Sequence, residues 1–394
     1  MSNDAQTSKP SLGIAIIGSG LMAKAHTMAW RNLQAVYGDV PVTPKLVILA
    51  DATEELARAG ADQFGYAEWT TSWEEAVNHP DVQVIDIVTP NWLHKDIALA
   101  AAKAGKHIWC EKPLALTAKD ALEMTEAAEA AGVKTLVGFS YLRNPAVAFA
   151  KQLIAAGEIG EPVSFTGAFA IDAMVDPDVP FTWRQDRNLS GTGALGDVGA
   201  HVISFARHLV GDISQVCSLS KISVAERPLP SGAYGYGEKA DASAPRKPVE
   251  NDDVTIFLTE FANGAIGSIE ASRVSAGRAY EVSFTLTGTK GAIRFDQQRM
   301  FQIEVQLASD PDTHSFRAVQ VGPGHGDYGK LWPVPGVNIS IHDLKFFEAY
   351  DLVQAIANDV PVGPDFREGW EVERVIDAVD KSAAERRWIS VDSI

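Results

Sequence analysis

The chain has 394 residues, 46% apolar and 22% charged, the make-up of an ordinary globular protein long enough for two cored domains. Its formal net charge is −17, from 34 basic and 51 acidic side chains, a field that repels phosphate backbones and argues against nucleic acid as a partner. No apolar run approaches the roughly 18 residues of a membrane span, and the start MSNDAQTSKP lacks an export pattern.

The expectation is therefore a cytoplasmic protein with no membrane partner. Cys110 and Cys217 are too few for a disulfide framework and are read as reduced. No metal site is expected.

In chain order, residues 12–17 (LGIAII) form an apolar run ending at Gly18, and a helically spaced, Ala-rich stretch begins at Leu21. Strand-like runs at 46–50, 84–88, 107–110 and 134–138 alternate with helical stretches at 54–64, 95–104 and 118–131. This alternation predicts a parallel sheet covered on both faces, in a first domain spanning 1–144.

A helix near 146–156 leads into a β-rich run at 163–170. Strands follow at 213–224, 253–260, 264–274, 280–287, 291–295 and 301–307, separated by turn signals such as Asn263-Gly264. Successive hairpins predict a mainly antiparallel sheet in a second domain, 145–394, closed by helices near 341–358 and 367–384, the last able to return to the first domain. The Pro- and Gly-rich stretches 227–249 and 322–337 read as long loops.

Gly18-Ser19-Gly20-Leu21-Met22-Ala23 fits G-x-G-x-x-G/A between a strand and a helix. Gly18 permits the turn, Gly20 lets a pyrophosphate approach the backbone, and Ala23 stays small where helix meets strand. The helix N-terminus adds free N–H donors and a favourable dipole. Asp51 ends the second strand, beyond a Pro-containing stretch at 31–45 that lengthens the usual spacing. A carboxylate there accepts ribose hydroxyls and repels a 2′-phosphate, and Ala52 supplies no cation, so NAD is favoured over NADP.

Three further strand ends are polar: Thr89-Pro90-Asn91 with His94, Glu111-Lys112-Pro113, and Gly138-Phe139-Ser140-Tyr141 with Arg143. Ligands of open α/β sheets bind at such ends, although a lysine there is also compatible with an ordinary surface position. Farther on, Asp197 and His201 lie four apart at the start of an apolar helical stretch, which would put them on one face of a helix. Histidine exchanges protons near neutral pH and a carboxylate orients its ring, but a histidine among apolar neighbours is also a common core residue.

Together, the glycine turn, TPN with its histidine, CEKP, GFSYLRNP, and Trp183-Arg184 ahead of GTGALGDVGAH resemble the Gfo/Idh/MocA oxidoreductases, with the motifs in order across both domains. The resemblance implies an α/β protein. Its N-terminal Rossmann dinucleotide-binding domain would precede a C-terminal α/β domain with a large open sheet, often used for oligomerisation, here with a homotetramer expected. Inositol dehydrogenases and related sugar dehydrogenases look nearest. The implied reaction is NAD-dependent oxidation of a secondary hydroxyl of a cyclitol or pyranose to a ketone or lactone.

In that mechanism Lys112 matches the lysine of the EKP motif, and Asp197 and His201 match the Asp-x-x-x-His pair. His201 would accept the hydroxyl proton, Asp197 would support the imidazole, and Lys112 would stabilise the developing charge. The cofactor site is expected to comprise Gly18, Gly20, Leu21, Met22, Asp51, Thr89, Asn91, His94, Glu111 and Lys112. The substrate site is expected to add Tyr141, Arg143, Trp183, Arg184 and His325 to Lys112, Asp197 and His201.

The segments 227–249 and 321–337 depart from the family pattern, and His325, Tyr328 and Trp332 within the second suit either a carbohydrate pocket or a plain surface loop. Competing readings are an NAD-using glycosidase of the same family and a non-catalytic dinucleotide-binding regulator. A glucose-fructose type enzyme with bound NADP fits less well, given Asp51.

Overall fold

The computed structural model describes residues 9–230, 239–241, 243–310 and 314–394. Its first half alternates strands β1 (Ser11–Ile17), β2 (Thr43–Ala50), β3 (Glu68–Thr70), β4 (Val84–Ile87), β5 (His107–Cys110) and β6 (Thr135–Val137) with helices α1 (Leu21–Tyr37), α2 (Glu54–Phe64), α3 (Trp73–Asn78), α4 (His94–Lys103) and α5 (Ala118–Ala131). All six strands run parallel, in the order β3-β2-β1-β4-β5-β6. Strand order reverses between β1 and β4, which opens a crevice at their C-terminal ends.

The apolar strand runs are buried because helices cover both faces of the sheet. β3 and α3 are additions to the elements expected from the sequence, being too short to show a period; the Ser72 side chain starts α3 by accepting the Glu75 N–H at 3.1 Å. α1 continues to Tyr37, so part of the extra spacing before Asp51 is helix rather than loop.

The second half comprises α6 (Pro145–Ala155), β7 (Pro162–Ala170), the short α7 (Arg187–Ser190), α8 (Ala200–Leu209), β8 (Ile213–Lys221), β9 (Glu226–Pro228), β10 (Arg246–Pro248), β11 (Val254–Phe261), β12 (Ile266–Ser272), β13 (Glu281–Gly288), β14 (Gly291–Asp296), β15 (Gln302–Leu307), β16 (Arg317–Gln320), α9 (Tyr328–Leu331), α10 (Ile341–Asn358), α11 (Phe366–Glu385) and β17 (Ile389–Ser390). Nine strands form one sheet in the order β16-β15-β14-β13-β7-β12-β11-β8-β17. Its neighbours are antiparallel except β7 and β12, which pair in parallel with Ile266 opposite Ser164.

Helices α6, α8 and α11 pack on one face of this sheet. The other face carries the alternate side chains, including the exposed Leu219, Ile256, Leu258 and Ile266. α10 packs on α1, and α11 on α5, so the last two helices hold the two sheets together.

The flanks of the 227–249 segment pair as the β9–β10 ribbon, while 231–238 and 242 lie outside the described residues. The 321–337 segment is not a plain loop: it contains α9, whose fully buried Tyr328 donates its hydroxyl to the Val337 carbonyl. No helix among the described residues is long and apolar enough to cross a membrane.

Candidate active site

The glycine turn forms a cradle open at the C-terminal end of β1. Gly18 has φ +105°, and a Cβ there would meet the Val88 carbonyl oxygen at 3.0 Å, so both conformation and space require glycine. A Cβ on Gly20 would instead meet nothing within 4 Å. The fold does not need glycine at 20; a group approaching from outside does.

Helix α1 begins there with no side-chain cap and no acidic residue in its first turn, and Leu21 is 72% exposed beside Met22. Uncapped N–H groups at an open helix N-terminus fit a pyrophosphate. Thr89 Oγ1, at the end of β4, is buried without a hydrogen-bond partner, as a cofactor-lining hydroxyl would be.

Asp51 leaves β2 facing the glycine turn, where its Oδ2 accepts from Ser19 N at 2.7 Å and Ser19 Oγ at 2.6 Å, and its Oδ1 from Ala52 N at 2.6 Å. Oδ1 retains acceptor capacity for a ribose hydroxyl. These residues fit an NAD molecule.

Three expected cofactor residues have partners within the protein. The ring nitrogens of the buried His94 lie 3.0 Å from the carbonyl oxygens of Pro113 and Thr89, so the histidine links the strand-end segments after β4 and β5. Glu111 turns inward, its Oε1 accepting from His26 Nε2 at 2.9 Å and Lys345 Nζ at 2.6 Å. Asn91 is buried, with its amide 3.4 Å from the Ser190 carbonyl.

Lys112, just past β5, crosses to the second half of the chain and donates to the Asp197 carbonyl at 2.5 Å, with Asp197 Oδ1 at 3.4 Å. Asp197 Oδ2 lies 3.6 Å from Arg273 Nη1 and 3.9 Å from Arg184 Nε. Burial alone would raise the Asp197 carboxyl, but Lys112, Arg184 and Arg273 together hold it below the usual carboxylate range. The anion is permanent at neutral pH.

Asp197 does not hold the His201 imidazole, contrary to the expectation from their spacing. Residues Leu195–Gly199 form a π turn and α8 begins only at Ala200, so the two residues do not share one α-helical face. The π turn is pinned at its start by Asp252, which accepts from Gly193 N at 2.6 Å and Leu195 N at 2.9 Å.

His201 is buried against aromatic rings, edge-to-face with Tyr141 at 4.6 Å between centroids, with Phe169 at 5.6 Å and Phe139 at 6.2 Å. Its Nδ1 is buried without a partner. Burial first, then the Lys112 ammonium, holds its imidazole well below the ordinary value of 6.5, so the ring is neutral and able to accept a proton.

Tyr141 hydrogen-bonds Tyr280, a residue the sequence did not single out, whose ring meets Phe169 at 5.3 Å. Trp183 contacts Trp92 edge-on at 5.6 Å and carries the Arg184 guanidinium 4.4 Å over its ring, which sets an aromatic rim beside Asp197.

Arg143 and His325 are not brought to this group. Arg143 pairs with Asp351 at 2.8 Å and donates to the Gly363 carbonyl. His325 meets Phe149 at 4.4 Å and accepts from Gly322 N at 3.0 Å through Nδ1. Trp332 is 44% exposed.

Comparison with known proteins agrees with this geometry. Residues 12–139 match the oxidoreductase family model described as an NAD-binding Rossmann fold, and residues 147–294 match the GFO/IDH/MocA C-terminal domain. The chain is 41% identical to the levoglucosan dehydrogenase of Pseudarthrobacter phenanthrenivorans over 387 residues, covering 98% of this chain and 99% of that one. It is 30% identical to the scyllo-inositol 2-dehydrogenase (NAD(+)) of Bacillus subtilis, over 71% of this chain and 72% of that one.

Among solved structures, a levoglucosan dehydrogenase in complex with NADH and levoglucosan superposes with a TM-score of 0.91 at 40% identity, covering 97% of this chain and 99% of that one. An NAD-binding oxidoreductase from Klebsiella pneumoniae gives 0.89 at 39% identity, with the same coverage. With the glycine cradle, the lysine after β5 and the buried histidine on α8 in place, the chain belongs to the Gfo/Idh/MocA family of NAD-binding oxidoreductases.

Proposed function

We propose that the chain oxidises a secondary hydroxyl of a 1,6-anhydropyranose such as levoglucosan. The observation that carries this reading is full-length likeness to a levoglucosan dehydrogenase together with a neutral, partly unpartnered His201 near the Lys112 ammonium. In such a sugar the anomeric oxygen and O6 are locked in the acetal bridge, so every free hydroxyl is secondary. The product is then a ketone rather than a lactone.

Bound NAD supplies the hydride acceptor. His201 takes the proton of the reacting hydroxyl, and its neutral state at pH 7 suits that role. Lys112 donates to the same oxygen and stabilises charge as the proton leaves. Asp197 anchors the ammonium of Lys112, and Arg184 and Arg273 keep Asp197 ionised. The Trp183 ring supplies an aromatic face for a sugar ring.

The test is NADH formation with levoglucosan, myo- and scyllo-inositol, and glucose. Levoglucosan should exceed the inositols in kcat/KM by about tenfold or more, the discrimination that a pocket hydrogen-bonding the substrate readily achieves. Preference for an inositol would sink the anhydrosugar assignment. Absence of NADH with every sugar would favour a redox-neutral glycosidase or a regulator.

We also infer a homo-oligomer, with a tetramer the expected form, because the outer face of the nine-stranded sheet exposes Leu219, Ile256, Leu258 and Ile266 at 61%, 52%, 53% and 59%.

A further inference from the structure

Beneath Lys112 lies a buried set of charges that the reaction does not use directly. His26 on α1 is fully buried, its Nδ1 2.8 Å from Asp86 Oδ1 and its Nε2 2.9 Å from Glu111 Oε1. Trp30 Nε1 donates to Asp86 Oδ2 at 2.7 Å. Lys345, from α10 and 2% exposed, donates to Glu111 Oε1 at 2.6 Å and pairs with Glu348 Oε2 at 2.9 Å. Ser140 Oγ donates to the same Glu348 oxygen at 3.2 Å.

Burial works against charge on His26, but Asp86 and Glu111 raise its basicity above the ordinary value. Burial likewise opposes ionised Glu111, yet Lys345 and His26 hold its carboxyl well below the usual range. Glu111 thus meets Lys345 as an anion, and His26 is biased toward its protonated form.

Replacing a buried ion cluster by apolar groups of similar volume is often neutral or stabilising, so stability alone does not account for five ionisable groups in one place. What the cluster touches does. Glu111 Oε2 accepts the backbone N–H of Lys112 at 3.2 Å, and the carboxylate fills the space where a Cβ on Gly138 would stand, 2.5 Å from Oε1. Glu348, through Ser140, reaches the residue before Tyr141, whose ring packs on His201. His26 lies on the helix whose N-terminus forms the cofactor cradle.

We propose that Lys345 is a positioning residue for this reaction, acting through Glu111 on Lys112 and through Glu348 and Ser140 on the Tyr141 wall. It touches no reacting atom. Its ammonium fixes two carboxylates that would otherwise repel each other, and each carboxylate fixes one side of the crevice. A set of groups held about 1 Å out of place loses on the order of a hundredfold in rate. The rate effect rests on the oxidation proposed above; the placement of Lys112 does not.

Two variants separate positioning from mere support. Lys345→Arg keeps the charge but changes its length and fork. The triple variant Lys345→Met with Glu111→Gln and Glu348→Gln removes the ammonium together with both carboxylates it pairs with, leaving no ion of that set unpaired. For each, the melting temperature, NADH affinity, kcat and the acetylation rate of Lys112, followed by peptide mass spectrometry, are measured.

The expected result is a melting temperature within about 5 °C of wild type. NADH affinity should persist, kcat should fall about tenfold to a hundredfold, and Lys112 acetylation should change in the same variants. Wild-type kcat and wild-type Lys112 reactivity in either folded variant would overturn the proposal. If wild-type enzyme oxidises no sugar, the functional reading fails, and Lys112 acetylation still decides the role of Lys345.

Discussion

The Lys112 ammonium holds Asp197 from two sides, at 2.5 Å from its backbone carbonyl and 3.4 Å from its carboxylate, while no hydrogen bond joins Asp197 to His201 among the described residues. The carboxylate therefore acts on the lysine. It ties a strand end of the Rossmann domain to the π turn that precedes α8, and it leaves the imidazole neutral in an aromatic pocket.

Replacing His201 by Ala should lower kcat by about 10² to 10⁴, the range for a lost general base, with NADH affinity retained. The His201 imidazole is held below 6.5, so the proton-accepting form already dominates at neutral pH. Accordingly, kcat/KM for oxidation should rise with pH only on the acid side of the usual histidine range and be flat through neutrality. That limb should vanish in the variant. Lys112→Ala should cost about 10² to 10³, and the double variant should lose less than the product of the two, since both groups act on one oxygen. Steady-state kinetics across pH check this, and near-wild-type turnover in His201→Ala would make the residue a packed core histidine.

Cofactor preference should follow Asp51. With Asp51→Ser and Ala52→Arg, the carboxylate that repels a 2′-phosphate is removed and a cation supplied, so the ratio of kcat/KM for NADP to NAD should rise by about tenfold or more, some 1.4 kcal/mol. Ser19 also loses its acceptor, so some loss with NAD is expected. An unchanged ratio would remove Asp51 from the ribose site.

The outer sheet face should be an interface between copies. Leu219 and Ile256 are opposed across β8 and β11, and Leu258 lies two residues along the same face. Leu258→Lys puts a charge into this patch and should shift the species seen by light scattering toward the 42.3 kDa monomer. A wild-type chain that already scatters as a monomer at micromolar concentration contradicts the interface.

Much of this molecule is legible locally. The run LGIAII, the turn Gly18 to Gly20 and the Ala-rich helix from Leu21 identify the cradle because strand, turn and helix are each specified within a few residues. Lys112 and His201 are legible through their motifs, and the hairpins of the second sheet through their turn residues. Asp86, the one charge in the run VIDIV, is the local sign of the buried cluster, since a lone carboxylate in an apolar strand needs a buried partner. Tyr280, Arg273, Asp252 and Lys345 carried no such signal.

The tertiary structure alone decided where the polar atoms point. Glu111 reaches a lysine 234 residues away, and Arg143 leaves the crevice for Asp351 and Gly363, pairings that no local period encodes. Asp197 and His201 keep their helical spacing in sequence, yet a π turn inserted between them and three cations around the carboxylate separate their roles. Sequence determined which elements form and which chemical groups stand at their ends, because propensity and periodicity act over a few residues. Packing determined which of those groups meet, because buried charges must find partners wherever the fold supplies them.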